Sequence, residues 1–379
     1  MESFRISCPC LFGLESILAG ECKRLGFEQV EAENGRVHFI GGYKEIALAN
    51  LWLRTAERVQ IEMGQFPATT FDELFEGVAA LPMEEFISEH SAFPVTGFTL
   101  NSQLASIPDC QSIIKKAVVK RLEEVYKISW FEEDGATVRI QFGILKNQAH
   151  IYLDTSGAPL HKRGYRAEAN DAPIKETLAA GIVDLARVHD DNLVLDPFCG
   201  SGTLLIEAGM KALNIAPGIN RRFQFENWEL SEKSWIFDAR QEALQSIKKD
   251  VPFLAKGSDI DPAAVALTLE NAKKAGISKY VQAEVQDIRQ FKAPESRARL
   301  MTNPPYGERL LSETEADELY RIMGEVFPPA GDLQYSIISS SEVFEDTFGR
   351  TADKRRKLYN GTIRCWLYQY FRRTDRKGK

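Results

Sequence analysis

The most constraining feature of this 379-residue chain is a short apolar segment, Asn192–Leu195, that runs into Asp196-Pro197-Phe198-Cys199-Gly200-Ser201-Gly202-Thr203 and then into helix-forming residues. A strand that passes through a glycine turn directly into a helix suits a βαβ unit, in which the helix is the crossover between parallel strands. The residues after 172 repeat that rhythm. A helix is predicted over Lys175–Val188, strands near 253–258, 281–285, 298–302 and 334–339, and helices at 262–275 and 315–326. Alternating β and α elements imply an α/β, Rossmann-like domain with a mostly parallel sheet covered on both faces. The stretch 214–235, with Pro217-Gly218, Trp228 and Trp235, breaks the rhythm and reads as an insertion.

The N-terminal part has a different texture. Phe4, Ile6 and Cys8 alternate as in a strand, and an amphipathic helix follows from Leu14 to Leu25, with Gly26 in the position of a C-cap glycine. Strand-like segments at Phe27–Glu33 and Arg36–Ile40 flank the hairpin signal Asn34-Gly35, and Tyr43–Leu53 reads as a second helix. This β-α-β-β-α order predicts a ferredoxin-like segment over 1–65. Residues 66–165 carry a second α+β pattern. Helices are predicted at Thr70–Ala80, Pro82–Phe86 and Gln111–Val125, and strands at Pro94–Thr99, Ala136–Leu145 and Gln148–Asp154. The remaining segment, 166–379, is the α/β domain.

Composition narrows the classes. Hydrophobic residues at 44% and charged residues at 27% suit a globular chain that buries a full core without disulfides or a structural metal. No run of ~18 apolar residues is present to span a membrane, and Met1-Glu2-Ser3-Phe4-Arg5 lacks the pattern of a signal peptide. Six cysteines and five histidines are scattered, which predicts reduced thiols, no metal and a cytoplasmic location. The net charge of −7 weighs against nucleic-acid binding, yet basic runs stand at Lys115-Lys116 with Lys120-Arg121, at Lys162-Arg163 with Arg166, at Lys354-Arg355-Arg356-Lys357 and from Arg372. By itself, each reads as a solvated helix face or terminus.

Three strand ends carry the chemistry. The glycine turn lets a ligand approach the backbone, and the helix N-terminus favours a negative group. The third glycine of a dinucleotide fingerprint is replaced by Leu205 and no Lys-Ser/Thr pair makes a phosphate loop, so a ligand with both an amine and a carboxylate fits better. Methionine's α-amino and α-carboxylate are such groups, with Asp196 near the cation and the turn amides near the anion. Phe198 and Thr203 complete this set with Gly200 and Gly202. Asp259 closes the second strand and is placed for ribose hydroxyls, with Asp261 as alternative ligand or helix N-cap. Asp287 closes the third strand and could meet an adenine amino group.

Asn303-Pro304-Pro305-Tyr306-Gly307 follows the apolar stretch Arg299–Thr302. An exocyclic amine is a poor nucleophile because its lone pair is delocalised into the ring. The Asn303 amide oxygen and the Pro304 carbonyl can accept its two hydrogens and localise that pair, and the prolines preorganise the acceptors. Tyr306 offers a face on which a base can stack. Cys199 reads as a packing residue, since a methylating cysteine nucleophile belongs at the catalytic strand end.

Asp196–Thr203, Ser258–Pro262 and Asn303–Tyr306 together resemble the successive motifs of class I S-adenosylmethionine-dependent amino-methyltransferases. Asn303-Pro-Pro-Tyr-Gly-Glu-Arg-Leu310, Leu160-His-Lys-Arg-Gly-Tyr-Arg166, Ala172-Pro-Ile-Lys-Glu-Thr-Leu-Ala179 and Lys357-Leu-Tyr-Asn-Gly361 narrow this. They are similar to THUMP-domain RNA guanine-N2 methyltransferases, including the N-terminal half of the bacterial 23S rRNA enzyme. The resemblance implies a Rossmann-like class I methyltransferase domain preceded by ferredoxin-like and THUMP domains, with S-adenosyl-L-methionine as cofactor. It also implies an RNA partner, 23S rRNA first and tRNA second, met by Lys115, Lys116, Lys162, Arg163, Arg166 and the turn Ser102–Ser106. Adenine N6 methylation of DNA shares the Asn-Pro-Pro-Tyr motif but would need a module that reads duplex bases. A non-catalytic RNA-binding protein would not need Asp196, Gly200, Gly202 and Asn303 intact together.

Overall fold

The computed structural model describes residues 3–166, 174–305 and 313–371. Two compact units are present. The first holds the N-terminal residues up to Cys10, Leu18–Leu160 and Arg221–Gln241; the second holds Leu11–Ile17, His161–Asn220 and the chain from Glu242 onward.

The ferredoxin-like pattern consists of β1 (Phe4–Pro9), α1 (Glu15–Arg24), β2 (Glu28–Glu33), β3 (Arg36–Gly41) and α2 (Tyr43–Trp52). Asn34-Gly35 does turn the β2–β3 hairpin, with Gly35 at φ +76°. Next come β4 (Gln60–Pro67), α3 (Phe71–Ala79), β5 (Val95–Leu100), α4 (Ile107–Tyr126), β6 (Arg139–Leu145) and β7 (Gln148–Asp154). Thr70 and Glu73 make a reciprocal capping box that starts α3. Pro82–Phe86, expected as a helix, is a single 3-10 turn at Met83–Glu85.

β4 was not expected. It pairs with β1 on one side and β7 on the other, so both α+β patterns share one seven-stranded sheet in the order β2-β3-β1-β4-β7-β6-β5. Its glycine, its terminal proline and a bulge between Glu62 and Gly64 hide the strand period. A Cβ at Gly64 would lie 2.7 Å from the end of the Leu81 side chain, which would have to shift. The insertion is part of this unit's core. Phe223, Phe225 and Trp228 are fully buried in it, and the Trp228 indole donates to Thr137 O at 3.0 Å.

In the second unit the elements are α5 (Glu176–Leu185), β8 (Leu193–Asp196), α6 (Thr203–Ala212), α7 (Ser234–Gln245), β9 (Leu254–Asp259), α8 (Pro262–Lys274), β10 (Val281–Val285), β11 (Ala298–Thr302), α9 (Glu313–Val326), β12 (Leu333–Ser339), α10 (Phe344–Phe348), β13 (Lys354–Asn360) and β14 (Ile363–Tyr370). The first part of α7 counts with the first unit. The sheet order is β10-β9-β8-β11-β12-β14-β13, parallel through β12, with an antiparallel C-terminal hairpin. Adjacent residues of β11 show that both faces are covered. Met301 joins a cluster with Leu205 and Ile182, whereas Leu300 joins one with Tyr320 and Phe327.

From β8 the chain winds outward to β9 and β10, then crosses to β11 on the other side. The topological switch therefore falls between β8 and β11, where open α/β sheets bind ligands at their strand carboxyl ends. Lys354–Lys357, expected as a solvated helix face or terminus, is edge strand β13. Among the described residues no helix is long and apolar enough to cross a membrane.

Candidate active site

Register brings the strand ends together, with Asp259 and Asn303 each two residues beyond the level of Asp196. β8 and β11 pair Leu195 with Leu300, and β8 and β9 pair Asp196 with Gly257. Asp196, Asp259 and Thr302 thus end three neighbouring strands, with Asn303 next along the chain. Asp287 lies just past β10.

The turn Asp196–Thr203 is held from three sides. Gly200 and Gly202 take φ of +52° and +80°, a region that side-chain-bearing residues avoid. The Gly200 amide donates to Asp259 Oδ2 at 2.9 Å, and the Cys199 amide to Ser258 O at 2.9 Å. From α8, Thr268 Oγ1 donates to Gly200 O at 2.8 Å and Asn271 Nδ2 to Ser201 O at 3.0 Å. A Cβ on Gly202 would come within 2.8 Å of Thr268, so the turn also fits tightly against α8. Thr268 and Asn271 were missed from sequence because polar residues on an otherwise ordinary amphipathic helix give no signal of a loop above them.

Asp196 is buried, and its Oδ1 accepts from the Thr302 hydroxyl at 2.7 Å and the Phe198 amide at 3.1 Å. Burial, with a smaller contribution from nearby Asp259, outweighs those bonds and pushes its carboxyl up to about 7. An acid raised this way destabilises the fold as pH climbs from the ordinary carboxylate range to about 7, and the cost is complete above it. Asp196→Asn should therefore raise the ligand-free melting temperature near pH 8 by at least about 2 °C and leave it unchanged near pH 4. Calorimetry at the two pH values checks this. An equal shift at both would mean that the carboxyl carries no buried charge.

Asp259 is half-buried, and its other oxygen accepts from the Asp261 amide at 3.0 Å. Asp261 is the N-cap of α8, accepting from the Ala263 amide at 2.9 Å. Asp287 caps a 3-10 turn through the Arg289 amide at 2.8 Å and pairs with the Arg289 guanidinium at 3.1 Å. Cys199 is buried against Gly257 and Thr268, and burial pushes its thiol up to about 12. Burial thus favours the neutral thiol and a packing role over a thiolate nucleophile. The six cysteines are buried, and none is in a disulfide.

Asn303 is the most informative residue. Its Oδ1 is buried yet accepts no hydrogen bond among the described residues. A buried carbonyl oxygen left without a donor costs free energy, and such groups call for an explanation in function. Pro304 is buried and Pro305 half-buried beside it; Tyr306 lies outside the described residues.

Two predicted RNA contacts are corrected. The Arg163 side chain is 2% exposed, and its Nε donates to Glu207 Oε1 at 3.4 Å, which also accepts from the Tyr165 hydroxyl at 3.0 Å. The Arg166 guanidinium is mostly buried; it pairs with Glu176 at 3.1 Å and donates to Thr203 Oγ1 and Ile174 O, each at 3.0 Å. Neither is available to phosphate. Arg166 instead ties the first residue of α6 to the first residue of α5, bracing the turn. In the first unit Lys115 is also engaged, by Glu133, Phe93 O and the Phe93 ring. Lys116 and Lys162 are exposed. Ser102 is tied into a turn by Leu100 O and the Asn147 amide, and Ser106 caps α4.

A family model described as the RMKL-like methyltransferase domain matches residues 163–369. Models of the RlmL ferredoxin-like domain and the THUMP domain match 5–60 and 68–154. YpsC of Bacillus subtilis (strain 168), a proposed RNA methyltransferase, is 42% identical over 98% of this chain and 97% of its own length. The ribosomal RNA large subunit methyltransferase K/L of Psychromonas ingrahamii is 33% identical over 96% of this chain, which spans about half (49%) of that relative. The crystal structure of SMU.472, a proposed methyltransferase complexed with SAH, is 40% identical with a TM-score of 0.93, covering 98% of this chain and 99% of that one. This chain belongs to the RMKL-like methyltransferase family, with a ferredoxin-like and a THUMP domain ahead of its methyltransferase domain.

Proposed function

We propose that the chain is an S-adenosylmethionine-dependent RNA methyltransferase acting on the exocyclic N2 of a guanosine, in 23S rRNA. The observation that carries the chemistry is the buried Oδ1 of Asn303, which has no hydrogen-bond partner among the described residues, at the sheet's switch point. The family membership, the THUMP match and the ribosomal RNA relative favour RNA as the substrate.

The residues fit the cofactor. The turn takes positive φ at Gly200 and Gly202 and opens directly into α6, whose N-terminal amides favour a negative group. Asp196, Phe198, Gly200, Gly202, Thr203, Asp259 and Asp287 would hold it. When bound, it supplies a methyl group on a positively charged sulfur. Asp196 is suited to its ammonium, since a nearby cation returns the raised carboxyl to the charged state. Asp259 keeps free lone pairs for ribose hydroxyls.

Asn303 Oδ1 and the Pro304 carbonyl accept the amine's two hydrogens and direct its lone pair outward. No general base acts before transfer, because the proton leaves after the new N–C bond has made the nitrogen cationic. Alignment therefore supplies much of the rate. Tyr306 would stack on the base.

Asp259→Ala should weaken SAH binding at least tenfold in calorimetric titration while methyl transfer persists at saturating cofactor. Unchanged affinity would transfer the ribose role to Asp261. The function itself is tested on RNA from a strain lacking this gene. N2-methylguanosine missing from 23S rRNA and restored by the intact gene, but not by Asn303→Ala, supports the reading. The same loss confined to tRNA would keep the chemistry and change the substrate. No change in either would reject it.

A further inference from the structure

The C-terminal hairpin carries a basic and aromatic surface that the reaction chemistry does not use. β13 and β14 pair Arg355 with Tyr368, Lys357 with Trp366 and Tyr359 with Arg364. Strand alternation puts Arg355, Lys357, Tyr359, Arg364 and half-buried Trp366 on one face, which is covered at one end where Tyr368 is buried against Phe344 of α10, while Leu358, Cys365 and Leu367 on the other face are fully buried. The Arg355 guanidinium lies 5.7 Å from the Trp366 ring and the Lys357 ammonium 5.5 Å from the Tyr359 ring. Phe12, 55% exposed and counted with the same unit, sits edge-on to Tyr359 at 6.0 Å.

Two acids share the surface. Glu345 pairs with Arg355 at 3.0 Å and Glu342 pairs with Arg364. Both arginines are half exposed, so these pairs are worth little, and a phosphate can replace either carboxylate. Three cations against two acids make a locally positive face on a chain of net charge −7. Cations interleaved with aromatic rings are what a single strand of nucleic acid requires, with phosphates on the charges and bases on the ring faces.

The face also stands near the site. Thr302 pairs with Ile337 in β12, and Ser339 of β12 pairs with Trp366. The Trp366–Lys357 row therefore lies about one residue beyond Asn303 toward the carboxyl ends, and β13 is three strand spacings, about 14 Å, from β11. Tyr359 rises two residues further.

We propose that this hairpin face grips the single-stranded segment of the RNA substrate that flanks the target nucleotide. The inference rests on the RNA reading above and extends it to a surface in the catalytic unit itself. It is tested with an Arg355→Gln/Lys357→Gln/Arg364→Gln triple variant, using labelled methyl transfer to total RNA from a strain lacking the gene. The KM for RNA should rise at least tenfold while kcat stays within twofold and SAH affinity is unchanged. Loss of three phosphate contacts should also flatten the slope of log KM against log salt by about 2. Phe12→Ala should raise KM without altering that slope. If the triple variant does not fold, Lys357→Glu alone carries the charge test. Unchanged KM and salt slope with an active wild type would overturn the proposal and leave the RNA reading intact. A wild type that labels no RNA would overturn both.

Discussion

Asn303→Ala should lower methyl transfer about 10²–10³-fold while SAH affinity stays within about threefold. An oriented acceptor that acts on the reacting amine contributes on the scale of a preorganised oxyanion-hole donor. The structure adds a second expectation. Because Asn303 Oδ1 has no partner among the described residues, truncating it breaks no hydrogen bond of that oxygen. Removing a buried, unsatisfied acceptor is neutral or stabilising. The melting temperature of the ligand-free variant should therefore equal or exceed that of the wild type. Loss of both activity and cofactor binding, with a lower melting temperature, would make Asn303 a structural residue.

Arg163→Met should cost about 3–5 kcal/mol of stability, because it leaves the Glu207 carboxylate buried without its cation. At the sensitivity of domains this large, that is a fall of at least about 6 °C. The KM for RNA of the folded fraction should not change. Replacing both partners, Arg163→Met with Glu207→Leu, should recover most of the loss, since no charge then remains unpaired. An Arg163→Met chain that melts normally but binds RNA poorly would restore Arg163 to the RNA surface.

These two residues mark what was legible in the sequence. The strand-end placement of Asn303 was readable because the pattern is local: an amide between an apolar strand and two prolines. Asp196, the glycine turn and Asp259 were readable for the same reason, as each ends a strand in a repeating order. Arg163 was misread because a basic run on paper does not reveal burial. Its acid, Glu207, is 44 residues away, inside the apolar run Leu204–Ile206 and Ala208–Met210. That isolated acid on a buried helix was the available signal.

The fold followed the same division. Elements with a clean period were found within a few residues, including α8 and β7. β4 and the β13–β14 hairpin were not, since Gly64 and a bulge interrupt one and four consecutive basic residues mask alternation in the other. Long-range partners decided the insertion: nothing near Trp228 in sequence indicates that Thr137 accepts its indole N–H. Thr302 shows the limit at the site. Its hydroxyl orients Asp196 across two strands, a pairing fixed by register and not by either residue's neighbours.

The central claim is that the Asn303 site methylates the exocyclic amine of a guanosine in RNA. The direct measurement is transfer from labelled S-adenosylmethionine to total RNA and to genomic DNA of a strain lacking this gene, followed by digestion to nucleosides. The account predicts label in N2-methylguanosine from 23S rRNA and none in DNA. Label in N6-methyladenine from DNA, with none in RNA, would contradict it.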